Sequence, residues 1–138
     1  MSEHPLAIAV DFASDVPIYR QIADEIRALV AMGRLVDGDE LPSVRQLGTM
    51  VGVNLNTVAK AYRALADEGL VELRHGAGAR VRQPAHPYRG AREPQDEDRA
   101  LQDVIGRMVL AGASRKKVEK QLLGAVERFY AKGGKRKR

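Results

Sequence analysis

Apolar residues recur along this chain three and four positions apart, in stripes broken by glycine, proline and aspartate–glycine signals. Ile18, Ile22, Ile26, Leu29 and Val30 put one apolar face on a helix. Ser14, Asp15 and Pro17 form its start cluster, with proline suited to a first turn whose N–H has no partner, and Gly33 suits its C-terminal cap. Asp37-Gly38 marks a turn. Upstream, the stretch Leu6 to Phe12, with Ile8 and Val10, is apolar but short and reads as a strand or a packed arm.

Ser43 to Gln46 has the form of a capping box, in which the hydroxyl and the amide each satisfy one orphan N–H. The short helix it starts ends at Gly52. Asn54 caps the next helix, which runs to about Glu68 with Val58, Ala61, Tyr62 and Leu65 inward, and Gly69 closes it. Leu70–Leu73 and Ala79–Arg82 then read as two strands around a turn containing Gly76 and Gly78. Two short helices across a glycine turn read as a helix-turn-helix or as an ordinary core hairpin. The helix-turn-helix needs Leu47, Val51, Val53, Val58 and Ala61 to point into the interhelical angle, and a small residue, Gly48, where the second helix crosses. Each position is suitably filled. The following hairpin makes the unit a winged helix.

Such a fold offers the N-terminal part of its second helix to the major groove, where amide and hydroxyl side chains read base edges. That part carries Asn54, Leu55, Asn56, Thr57 and Lys60. Asn54 reads equally as a cap. Asn56 and Thr57 have no evident structural duty and are the candidate readers. Arg45, Lys60, Arg63, Arg74, Arg80 and Arg82 are candidates for phosphates, each also readable as a solvated surface charge.

Residues 83–95, with Pro84, Pro87, Pro94 and Gly90, read as a linker. Beyond it Leu101, Val104, Ile105, Met108 and Val109 form one helical stripe. Gly112 and Ser114 make a break and a new cap, and Val118, Leu122, Val126 and Phe129 form a second stripe. So short a hairpin depends on tertiary packing. It either folds back on the winged helix or dimerises, and dimerisation pairs two DNA readers across a two-fold axis. Leu101, Ile105, Met108, Leu122, Val126 and Phe129 are the candidate dimer residues. The predicted fold is therefore mainly α with a small β-wing: a winged helix-turn-helix over residues 10–82, the linker 83–95, a two-helix dimerisation module over 96–131 and a basic tail over 132–138.

Composition changes this picture at few points. The 138 residues carry a formal charge of +5, from 23 basic and 18 acidic side chains. Residues 1–40 hold 3 basic and 8 acidic side chains, whereas residues 41–82 hold 6 and 3, so the positive charge of the first domain gathers on the helix-turn-helix and wing. The last seven residues add five cations, which serve either as a sequence-independent phosphate attractor or as a solubilising end. The chain has no cysteine, which excludes disulfides and thiolate metal sites. No apolar run nears the ~18–20 residues of a bilayer span, and no charged-then-apolar leader opens the chain, so it reads as cytoplasmic with no membrane partner. His4, His75 and His86 are isolated, and Gly76-Ala77-Gly78 is too short for a nucleotide fingerprint. No enzyme, metal site or cofactor is read. About 36 residues of C-terminal helix leave little room for a pocket of ~300 Å³ or more, and nothing names a small-molecule effector.

Pro17-Ile18-Tyr19-Arg20-Gln21-Ile22, Leu41-Pro42-Ser43-Val44-Arg45-Gln46-Leu47, Val53-Asn54-Leu55-Asn56-Thr57-Val58-Ala59-Lys60-Ala61-Tyr62 and Glu68-Gly69-Leu70-Val71 resemble the GntR family of bacterial transcription regulators over roughly residues 10–82. The asparagine-rich segment and the short C-terminal part resemble its YtrA-like subgroup. The resemblance implies that Arg45 contacts the major groove or its phosphates and that Asn54, Asn56 and Thr57 open the recognition helix on the DNA; Ser43 is a further DNA-binding candidate. It also implies that His75 and Gly76 sit at a wing tip near the minor groove, and that the C-terminal helices dimerise. Where the family often carries arginine or another polar residue, this chain has Leu55, and Ala59 replaces a frequent second arginine, so no operator sequence is carried over. The function expected is a sequence-specific DNA-binding regulator, a dimeric repressor on a near-palindromic operator. The rival readings are a winged-helix adaptor for other proteins and a non-specific DNA-packing protein.

Overall fold

The computed structural model describes residues 6–75, 78–82, 88, 90 and 93–131. They form α1 (Ile18–Ala31), β1 (Glu40–Leu41), α2 (Val44–Val51), α3 (Leu55–Asp67), β2 (Val71–Arg74), β3 (Gly78–Val81), α4 (Pro94–Leu110) and α5 (Arg115–Tyr130). The chain divides between residues 89 and 90 into two compact units. Among the described residues no helix is long and apolar enough to cross a membrane.

In the first unit, the α1 stripe buries Ile22 and Ile26 completely, and α3 buries Val58, Ala61, Tyr62 and Leu65 to 1% exposure or less. Leu47 of α2 and Val71, Ala79 and Val81 of the sheet close the same core. The segment from Leu6 is a packed arm rather than a strand. Leu6 is buried, Ile8 and Val10 rest against the core, and the Gln21 amide pins the following turn. Gln21 Nε2 donates to the Asp11 and Val16 carbonyls at 3.0 and 2.9 Å, and Asp11 N–H donates back to Gln21 Oε1 at 2.8 Å. Pro17 stands at the N-cap, one position before the predicted first turn, where its carbonyl accepts from Arg20 and Gln21 N–H. Gly33, Gly69 and Gly112 follow the ends of α1, α3 and α4.

The wing has three antiparallel strands, in the order β1-β3-β2, where two were predicted. The extra strand, β1, pairs Glu40 with Arg80 and Leu41 with Ala79. On the outer face Arg80 pairs with Glu40 and Arg82 with Glu72, each at 3.1 Å. Two of the six candidate phosphate cations are thereby already matched to carboxylates across the strands.

A polar lock joins the ends of α1 and α3. Arg27 donates to both carboxylate oxygens of Glu68, at 2.8 and 2.6 Å, and its remaining nitrogen to Asp24 at 2.6 Å. Tyr88 Oη also donates to Glu68. Burial pushes the Glu68 carboxyl up, but the hydrogen bonds from Arg27 and Tyr88 outweigh it and hold the carboxyl below its ordinary value. Burial and the Glu68 bond push Tyr88 up to about 12.

In the second unit, α4 starts at Pro94, two residues before the predicted boundary, with Glu93 at the N-cap. Proline at the first helical position costs nothing, because its missing N–H would be unpartnered there. Ser114 caps α5 by accepting from Lys117 N–H at 3.2 Å. No α4 residue is buried, and Val118 is the buried residue of α5. Leu101, Val104, Val109, Leu110, Leu123, Val126 and Tyr130 are exposed, and Ile105, Met108, Leu122 and Phe129 are half-buried. Most of the predicted linker and all of the tail 132–138 lie outside the described residues.

Because Glu68 is depressed, its stabilisation is complete above the ordinary value of 4.5 and is lost as pH falls through the lowered value. Urea unfolding at pH 7 and pH 3 should therefore show a smaller acid loss of stability for Glu68→Gln than for the parent. Equal losses would mean that the Glu68 lock does not couple folding to protons.

Candidate nucleic-acid interface

The turn between α2 and α3 is set by one close approach. A Cβ on Gly48 would lie 2.9 Å from the Val53 carbonyl oxygen and 3.7 Å from Leu55 Cα. The missing side chain lets α3 cross α2 at the required distance. Gly48 O accepts from both Gly52 N–H, at 2.8 Å, and Val53 N–H, at 2.9 Å, so the turn closes on this one carbonyl. Gly52 takes the left-handed conformation at the α2 C-cap. Of the five predicted interhelical residues, Leu47, Val58 and Ala61 are fully buried, and Val51 and Val53 pack half-buried against the core.

Each helix is capped as its sequence predicts. Ser43 Oγ accepts from Gln46 N–H at 3.0 Å, and Gln46 Oε1 accepts from Ser43 N–H at 2.9 Å. Asn54 Oδ1 accepts from Asn56 N–H at 2.6 Å, so the cap reading of Asn54 holds. Tyr62 Oη, raised in pKa by burial, donates to the Pro42 carbonyl at 2.7 Å and ties α3 to the entry of α2. The wing is held to the same point. A Cβ on Gly78 would fall 2.8 Å from Pro42 O, and Gly78 has φ +85°. Sequence reasoning placed Tyr62 inward but missed its hydroxyl bond, which joins residues 20 apart.

With the inner face of α3 fixed, the outer one is determined. Asn56, Lys60 and Arg63 are exposed at i, i+4 and i+7, along one side of the helix. Leu55 is 38% exposed, and Thr57 is half-buried. Lys60 Nζ lies 4.2 Å from the centroid of the Tyr19 ring, a cation–π contact that no sequence spacing within α3 could reveal. Arg45 is exposed on α2, beside a shallow depression formed with Pro42, Gln46, Thr49 and Met50. Ser43 is half-buried, its hydroxyl engaged as acceptor and its hydrogen left to donate. His75 is exposed in the turn after β2, and Gly76 lies outside the described residues. The fold thus places Ser43 and Arg45 at the entry and first turn of α2, Asn54 at the N-cap of α3, and Asn56, Thr57, Lys60 and Arg63 along α3.

A winged helix-turn-helix with a polar, cationic outer helix is the architecture of a DNA-binding domain. The family model for bacterial regulatory proteins of the gntR family matches residues 18–81. The HTH-type transcriptional repressor YtrA of Bacillus subtilis is 42% identical over 78 residues, covering 56% of this chain and 60% of that protein. The uncharacterised HTH-type transcriptional regulator YhcF of the same organism is 39% identical over 101 residues, 73% of this chain and 75% of its own. The solved structure of YtrA from Sulfolobus acidocaldarius, a GntR-family transcription factor, is 39% identical with a TM-score of 0.51, covering 74% of this chain and 95% of that one. The chain belongs to the GntR family and is YtrA-like within it, and its first unit is the DNA-binding domain of a transcription regulator.

Gly48→Ala should cost about 1–3 kcal/mol, because the added methyl meets backbone rather than a side chain able to move. Thermal or urea unfolding reads this. Unchanged stability would show that the α2–α3 crossing tolerates a wider separation.

Proposed function

We propose that the protein is a cytoplasmic, sequence-specific repressor that binds a near-palindromic DNA operator as a homodimer and carries no catalytic activity. The observation that carries this reading is the orientation of α3. Its apolar side is locked in the core, and its first turns present Asn56 outward between a capped N-terminus and two cations.

In this reading the first turns of α3 enter the major groove. Asn56 donates and accepts in a bidentate contact with adenine, and Thr57 Oγ1 reaches a base or phosphate. Asn54, committed to its cap, acts through the helix N-terminus, whose free N–H groups favour a phosphate. Leu55 meets a thymine methyl. Ser43, Arg45, Lys60 and Arg63 bond phosphates and set the register, with the Tyr19 ring supporting the Lys60 ammonium. His75 and Gly76 carry the wing to the neighbouring groove.

Leu101, Ile105, Met108, Leu122, Val126 and Phe129 are the dimer contacts, joined by the exposed Leu110, Leu123 and Tyr130 that the predicted stripes did not include. Two domains across a two-fold axis place their recognition helices about one DNA turn, ~34–36 Å, apart and so demand an inverted repeat. Occupying such a site at a promoter keeps other proteins off it. The repressor role rests on the kinship with YtrA of Bacillus subtilis.

Footprinting on genomic DNA finds the operator. On that site Asn56→Ala should lose about 1–3 kcal/mol of binding while affinity for random DNA barely changes. Equal losses on both would place Asn56 on the backbone. Equal affinity of the parent for all DNA would make it a packing protein, and no salt-dependent retardation at all would make it an adaptor.

Leu122→Asp should yield a folded monomer with weak operator binding, read by sedimentation and gel retardation. A dimeric Leu122→Asp with normal binding would contradict the role given to the C-terminal helices.

A further inference from the structure

The chain is held twice at one end of α3 before it leaves the first unit. Arg82 N–H, just past β3, donates to the Leu70 carbonyl at 2.8 Å. Six residues on, the Tyr88 hydroxyl donates to Glu68, the C-cap residue of α3. The first unit ends at the next residue, Arg89. Tyr88 is well seated there. It is half-buried and packs against the core. Its acceptor is itself fixed, since both Glu68 oxygens take Arg27, at 2.8 and 2.6 Å. The Glu68 side chain is 22% exposed, so water has little access to compete. Helix termination does not require this bond, because the Glu68 N–H already reaches Ala64 O and Ala66 O.

The consequence of the bond is one of length. The second unit takes up its helical course at Glu93, the N-cap of α4. Glu93 lies eleven residues beyond Arg82 but five beyond Tyr88. At ~3.3–3.6 Å per residue, the greatest reach is ~36–40 Å from Arg82 and ~17–18 Å from Tyr88. Both anchors are at the same end of α3, so seating Tyr88 shortens the tether by ~20 Å rather than redirecting it.

We infer that Tyr88 is a clasp that limits how far apart the two DNA-binding units of a dimer can stand, and so selects the spacing of the half-sites the protein accepts. The inference rests on the dimeric, operator-binding reading above and adds to it a specificity residue at the far end of α3 from its base-reading turns. Moving two half-sites apart by one helical turn keeps both on the same face of the duplex and adds ~34–36 Å, or ~17–18 Å per protomer. A clasped tether would be wholly consumed in supplying that distance. An unclasped one gains ~20 Å per protomer and reaches it.

The test uses the full chain and gel retardation on three duplexes: the selected operator, the same operator with about one turn of DNA inserted at its centre, and a single half-site. The parent should bind the widened operator at least about tenfold more weakly than the selected one. Tyr88→Ala should bind the selected operator about threefold more weakly than the parent, because effective concentration falls roughly as the −3/2 power of tether length. It should bind the widened operator within about threefold of that. On the single half-site it should equal the parent, which reports a folded first unit. A second variant leaves Tyr88 in place and inserts six Gly/Ser residues between Arg92 and Glu93, restoring the unclasped length. It should accept the widened operator as Tyr88→Ala does.

A parent indifferent to the widening, or either variant as strict as the parent, would overturn the clasp. So would loss of half-site binding in Tyr88→Ala, which would make Tyr88 a residue of the fold alone. A parent that binds the single half-site as tightly as the selected operator would overturn the dimer reading itself.

Discussion

Burial of one side of α3 is the constraint on which the rest of this molecule depends. Val58, Ala61, Tyr62 and Leu65 are held at 1% exposure or less against α1, α2 and the sheet. A helix so gripped cannot rotate about its axis without exposing apolar surface or forcing polar groups into the core. The side chains on its other face therefore point where they do because of residues they never touch. The Tyr62 hydroxyl at Pro42 and the missing Cβ at Gly48 fix the remaining freedoms, namely the distance to α2 and the crossing itself.

The same core explains why the wing lies beside the helix-turn-helix. Gly78 passes so close to Pro42 that a side chain would not fit, and β1 lends its two residues to the outer edge of β3. The Arg80 and Arg82 ion pairs on the exposed sheet face are of the kind that contributes little to stability. Their main consequence is electrostatic, since two cations of the wing are offset by glutamates. On α2 and α3 Arg45, Lys60 and Arg63 are exposed, and on the wing Arg74 is exposed at the end of β2.

What could be read from the sequence was what is local. Caps at Ser43 and Asn54, the glycine turn and the inward stripe of α3 depend on residues one to four apart, and the structure reproduces them. What could not be read joins distant residues. Arg27 meets Glu68 across 41 positions. Lys60 meets a ring on another helix. A strand as short as Glu40–Leu41 has no periodicity to detect. Pro94 was a linker signal because proline so often is one, and only its place at the first turn of α4 makes it a helix starter. For the candidate interface, the sequence supplied the positions but not their partners. Asn54 is a cap, Ser43 is half of a capping box, and among the candidate readers it is Asn56 whose amide stands exposed.

The central claim is that the outer face of α3 reads bases in the major groove. Interference by methylation of guanine N7, a major-groove position, tests it most directly on DNA fragments selected from a random pool by the purified protein. The account predicts that the selected DNA is an inverted repeat and that methylation blocks binding within two segments about one helical turn apart. Uniform tolerance of methylation across the bound DNA would contradict it.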